Sequence, residues 1–143
     1  MAQHIAPLTV RHSFALPVDR VFDAWIEPHV ASRWLFATED GQNVRCDIDA
    51  RPGGAFVITD RRGGDDVEHQ GHYVEIDRPR RLVFTFSVPK YSSEETTVEV
   101  VVAPAGTGCE VTLVHHDVLP EWTAQTEQGW RELLARLEGL LQA

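Results

Sequence analysis

The feature that most constrains this chain is a long train of strand-like runs that ends in one amphipathic helix. After Pro120 the sequence reads "EWTAQTEQGWRELLARLEGLLQA", in which Trp122, Trp130, Leu133, Leu134, Leu137, Leu140 and Leu141 recur at helical spacing as one broad apolar stripe. Glu127 with Arg131, and Glu132 with Arg136, are spaced i, i+4 and are expected to pair on the wet side. A stripe this wide has to be covered, and the only large partner the chain offers is a sheet.

That sheet is legible as alternation. "LTVRHSFAL" sets Leu8, Val10, His12 and Phe14 against Thr9, Arg11 and Ser13, the period of a strand with one buried face. Pro17 opens a helix carrying Val18, Val21, Phe22 and Trp25 at helical spacing, Pro28 stops it, and "HVASRWLF" reads as a second short helix. From residue 42 to 117 the chain alternates strands with turn chemistry. "NVRCDIDA" places Val44, Cys46 and Ile48 on one face, "RPGG" turns the chain, and Phe56 and Ile58 carry the next strand. "RRGGDD" makes a further turn, "HYVEI" and "RLVFTF" flank "DRPR", and "TTVEVVV" and "CEVTLVHHDV" flank "APAGTG". The expected order is one strand, two short helices, six strands and a long helix, an α+β fold in which a curved antiparallel sheet grips its last helix.

With 143 residues the chain suits one domain, here residues 1–143, able to bury roughly 68–70% of its extended-chain surface. No apolar run approaches the ~20 residues of a membrane helix. "MAQHIAPLTV" lacks the basic and apolar regions of a secretion signal, so a cytoplasmic location is expected. A net charge of -9 opposes the phosphate neutralisation on which nucleic-acid affinity rests. Arg61, Arg62, Arg78, Arg80 and Arg81 sit among Gly, Asp and Pro and read as solvated turn residues rather than an anion patch. Cys46 and Cys109 have no CxxC spacing and sit inside strand-like runs, the second strand and the start of the last, so free thiols and no bridge are expected.

The stretch "LVHHDV" at 113–118 carries the most chemistry. Strand alternation turns His115 to the face of Val111 and Leu113 and His116 to the other, so the two cannot share a metal ion. Asp117 returns to the face of His115, which makes His115 and Asp117 the weak candidates for a general base and its orienter. No nucleophile accompanies them, because there is no GxSxG elbow and neither cysteine has an adjacent base. His12 and His72 share faces with Val10 and Phe14, and with Val74 and Ile76. No cysteine or carboxylate cluster completes a ligand set, so neither a metal nor another cofactor is expected.

Five stretches, "LPVDRVFDAWIEPHVASRWL", "DARPGG", "GHYVEIDRPRRLVFTF", "TLVHHDV" and "GWRELLARL", resemble in that order the family named after the activator of the heat-shock protein 90 ATPase. This is a branch of the START-like, pollen-allergen-like superfamily, and the resemblance runs from about Leu8 to Leu141. It implies a helix-grip fold with seven strands around the C-terminal helix and a cavity between them. Superfamily members bind lipids, sterols, hormones and polyketides, and some catalyse cyclisation. The co-chaperones that give the family its name carry a further N-terminal domain with no counterpart in these residues.

The leading expectation is therefore a binding protein, not an enzyme, that encloses a small apolar, lipid- or polyketide-like molecule. Phe84, Phe86, Val100, Leu113 and His115 would form the sheet wall with His72, and Leu133 and Leu134 the helix wall. Trp34 and Trp130 would stand at the portal. The alternatives are a polyketide cyclase or aromatase using the same cavity, and a co-chaperone-like interaction module with an exposed apolar patch.

Overall fold

The computed structural model describes residues 7–92 and 94–142, so the N-terminal stretch read for a secretion signal lies largely outside the described residues. β1 (Leu8–Phe14) is followed by α1 (Val18–Ile26) and a four-residue α2 (Pro28–Ala31). Then come β2 (Gln42–Ile48), β3 (Ala55–Arg62), β4 (Asp65–Asp77), β5 (Arg81–Phe86), β6 (Thr96–Ala105) and β7 (Gly108–His116). A 3-10 turn at Pro120–Trp122 leads into α3 (Thr123–Gln142). The seven strands pair antiparallel in the order β1-β7-β6-β5-β4-β3-β2, so the first strand is zipped onto the last and the rest form a meander. This is the α+β helix-grip architecture.

Each element follows from its local sequence. Gly63 and Gly64 take φ of 58° and 92°, the two positive values of a type I′ turn, and set the register that pairs Arg62 with Asp65. Trp130, Leu134 and Leu137 turn inward from α3 at intervals of four and three residues and are nearly fully buried. They meet Val98, Val100, Val111 and Leu113, which project from β6 and β7 into the same core. Arg78 clasps Asp23 through two bonds of 2.7 Å and ties the β4–β5 turn to α1.

Three local expectations are corrected. The second short helix stops at Ala31 rather than running to Phe36, because the chain leaves helical geometry and Phe36 adopts a φ of 59°. Val44 does not share a buried face with Cys46, since the β2–β3 register shifts between Asn43 and Arg45 and leaves Val44 exposed. β4 begins at Asp65, well before "HYVEI", and this reassigns its faces. Val67, His69 and Tyr73 point inward, and a bulge between Tyr73 and Glu75 brings Ile76 back against the core. His72 and Val74 are left exposed on the outer face, so His72 does not belong to the concave wall.

Cys46 on β2 and Cys109 on β7 are both free thiols. They lie five strands apart in the sheet order, which at about 4.8 Å per strand exceeds disulfide reach. Burial raises both thiol pKa values. No helix of the described residues is long and apolar enough to cross a membrane.

Candidate functional site

A cavity of about 710 Å³ lies between the N-terminal half of α3 and the sheet. Its floor is aromatic. Phe86 from β5, His69 from β4 and Phe36 from the segment after α2 stack on one another, with Phe36 and His69 nearly parallel at 4.6 Å and Phe36 and Phe86 at 5.0 Å. Trp130 and Leu133 of α3 close the opposite side, and Trp122, 41% exposed, stands at the rim. A smaller space of about 200 Å³ adjoins it beyond Trp122 and is bordered by Tyr91, Val88 and Val118.

His115 sits in this wall at 2% exposure with both ring nitrogens engaged. Trp130 Nε1 donates to His115 Nδ1 at 3.0 Å, and Thr96 Oγ1 lies 2.7 Å from His115 Nε2. An indole N–H can only donate, so Nδ1 must be the unprotonated nitrogen and Nε2 must carry the proton. Nε2 then donates to Thr96, whose hydroxyl donates onward to the carbonyl of Phe86 at 3.2 Å. Every donor in the chain is used and His115 is neutral. Burial, reinforced by the positive charge that His116 can take, pushes its pKa down to about 4.

His69 is also pushed down to about 4, first by burial and next by the Arg62 guanidinium. Its Nδ1 lies 3.3 Å from the carbonyl of Ile58. Arg62, one of the arginines read as solvated turn residues, instead lines the cavity. Its Nε donates at 2.7 Å to Asp60, a carboxylate only 2% exposed, and its Nη2 donates at 3.3 Å to the carbonyl of Phe36. Thr38 Oγ1 donates to the same Asp60 oxygen at 2.8 Å. This network holds Phe36 at a positive φ that costs a bulky L residue about 1–2 kcal/mol.

The structure brings together Phe86, His115, Trp130 and Leu133 from the residues expected at the site. Phe84, Val100, Leu113 and Leu134 lie behind them in close-packed core, each 2% exposed or less. Trp34 is not at a portal. It is fully buried, its Nε1 donates to the carbonyl of Ala24 at 2.9 Å, and its ring meets Trp25 edge-on at 4.8 Å. Trp122 takes the rim position instead. His72 lies on the outer face, where its amide donates to Thr85 Oγ1. His12 reaches Glu138 of α3 at 2.7 Å, four register steps along β1 from Leu8, the partner of His115, so the three histidines do not converge.

Asp117 and His115 do not form a dyad. Asp117 follows the last residue of β7, takes a φ of 64° and is exposed, and no hydrogen bond joins it to His115. Glu127 and Arg131 pair as expected, whereas Glu132 accepts from Gln128 and makes no ion pair with Arg136. Among the described residues, no three His, Cys, Asp or Glu side chains gather around a point that would hold a metal ion.

Sequence reasoning missed Phe36, His69, Arg62 and Trp122 as cavity residues. His69 carried a usable signal, since Val67, His69 and Tyr73 alternate once β4 is started at Asp65. Phe36 had none, because it sits in an irregular segment.

A curved seven-stranded sheet gripping a C-terminal helix, with an aromatic-floored cavity at the helix's N-terminal half, defines a START-like helix-grip domain. Within that class the chain belongs to the family described as activator of Hsp90 ATPase homolog 1-like protein, which matches residues 15–142. Among solved structures, a protein from Chromobacterium violaceum is 21% identical with a TM-score of 0.84, over 96% of this chain and 97% of that one. An AHSA1-like protein from Aeromonas hydrophila is 20% identical with a TM-score of 0.82, over 96% and 92%. A protein from Nitrosomonas europaea is 23% identical with a TM-score of 0.81, over 95% and 94%. No curated protein matches the chain in sequence.

Proposed function

We propose that this protein binds a small apolar molecule in the cavity between the sheet and α3. The observation that carries the reading is the cavity itself, about 710 Å³ with an aromatic floor of Phe36, His69 and Phe86 facing Trp130. That size lies within the range of roughly 300–1,000 Å³ usual for small-molecule sites, and the aromatic rings offer an apolar surface within a lining that also includes Glu39, Arg62, Gln125, Gln128, Glu132 and Arg136. Two of the large exposed apolar side chains, Tyr91 and Trp122, stand at the edges of these spaces rather than in a separate patch, which favours a cavity over an interaction surface. The cyclase-like alternative has less support. A neutral His115 with both nitrogens committed is a poor general base, and Asp117 does not orient it.

The reading is tested by titrating Nile red against wild type and Phe86→Arg, each first confirmed folded by circular dichroism. Saturable binding to wild type that weakens at least tenfold in Phe86→Arg is expected. Absent or unsaturable wild-type binding rejects the cavity, and equal binding to both places the site elsewhere.

A further inference from the structure

One buried polar atom has no protein partner. Among the described residues, Trp25 Nε1 is the buried side-chain nitrogen or oxygen without a hydrogen-bond partner. Trp25 is 1% exposed, yet its neighbour Trp34 satisfies its own indole N–H on a backbone carbonyl. An orphaned buried donor is uncommon in a folded protein and calls for an acceptor from outside the chain.

The surroundings of Trp25 point to where that acceptor comes from. Trp25 borders a small space of about 10 Å³ together with Leu35, Phe36, Phe56, Tyr73, Leu82 and Phe84. About 10–15 Å³ is what one water-sized group needs. The residue common to the lining of this space and of the large cavity is Phe36. It borders both spaces, and its backbone is in the left-handed region. A strained aromatic bordering both a cavity and the space beside an unpartnered donor is the arrangement of a side chain that can give way. Trp130, which lines the cavity, has its ring 6.0 Å from that of Trp25 and 5.9 Å from that of Phe36, so it neighbours both.

We propose that Trp25 Nε1 is the specificity-determining donor of the binding site, and that it receives a hydrogen-bond acceptor carried by the apolar ligand, of the ketone, aldehyde or ether class. The inference rests on the cavity reading above. The acceptor oxygen occupies the small space after Phe36 turns aside, and the apolar body remains on Phe86 and Trp130.

The experiment is displacement of Nile red by 1-acetylnaphthalene and by 1-isopropylnaphthalene, which has a similar shape and no acceptor, from wild type and Trp25→Phe. Loss of the N–H should weaken the ketone about five- to tenfold and leave the hydrocarbon within about twofold. Equal changes for both, or none for either, overturn the inference, as does a ketone that fails to displace bound Nile red from wild type. Failure of Nile red itself to bind wild type overturns the cavity reading instead. If Trp25→Phe does not fold, the indole N–H resonances of the four tryptophans in the wild-type protein decide the matter. One buried indole signal should move downfield with the ketone and not with the hydrocarbon, and identical spectra sink the proposal. A crystal structure with the ketone bound that places a water on Trp25 Nε1 also sinks it.

Discussion

Trp130 Nε1 donates to His115 Nδ1 at 3.0 Å, and this contact joins α3 to β7 at the wall of the cavity. Because an indole cannot accept, the bond fixes the tautomer of His115 and the direction of the chain that runs through Thr96 to the Phe86 carbonyl. Trp130→Phe keeps an aromatic ring, though a smaller one, and leaves Nδ1 buried without a donor, which by itself is expected to cost about 1–3 kcal/mol. Urea denaturation measures the loss, and long-range nitrogen–proton spectra of wild type should place the His115 proton on Nε2. A proton found on Nδ1 would remove the basis for this assignment.

Stability is expected to fall with acid. Burial lowers both His69 and His115 from about 6.5 to about 4. Between those values the unfolded chain binds protons that the native protein does not, so stability is fully present above about pH 6.5 and is lost as the pH falls toward 4. Each histidine contributes a slope of up to about 1.4 kcal/mol per pH unit in that window. Urea midpoints measured at pH 7, 6, 5 and 4 should decline steadily, and His69→Phe, which preserves the stack on Phe36, should flatten the curve. A wild-type profile that stays level from pH 7 to 4.5 contradicts both assignments.

The regular parts of this molecule could be read from sequence because each strand and helix repeats its burial pattern over several residues. Val98, Val100, Val111 and Leu113 alternate as expected, and Trp130, Leu134 and Leu137 keep helical spacing. What escaped was set by single irregular residues. The bulge after Tyr73 leaves His72 outside while Ile76 still packs inside, a change of phase that strict alternation cannot anticipate. Phe36 enters the cavity through a positive φ that no propensity favours for a phenylalanine. Trp34 and Trp122 exchange their expected roles because two short turns, not helix faces, decide which indole meets solvent.

Asp60 anchors the segment that carries Phe36. It accepts from both Thr38 and Arg62, and it is nearly fully buried while the Arg62 side chain is 31% exposed. Asp60→Ala is expected to lose about 1–3 kcal/mol, less than for a wholly buried ion pair because Arg62 can turn to water. It should also loosen Phe36, so hydrogen exchange over residues 36–40 should accelerate more than exchange in β6 and β7. Uniform acceleration across the sheet would show that Asp60 serves global stability rather than this segment.

Trp122 offers a separation of rim from wall. It is 41% exposed, it borders both the large cavity and the smaller space beyond it, and it belongs to a short 3-10 turn rather than to the packed stripe of α3. Removing such a surface ring is expected to change stability by no more than about 0.5 kcal/mol. A side chain that a ligand must pass slows entry and exit together, while the equilibrium constant is their ratio. Trp122→Ala should therefore raise both the association and dissociation rates of Nile red in stopped-flow measurements and alter Kd by less than about threefold. Phe86→Arg should do the reverse, with a large loss of affinity expressed mainly in dissociation. If Trp122→Ala weakens binding as much as Phe86→Arg does, its ring is part of the wall on which the ligand rests, and entry takes place at another edge of the cavity.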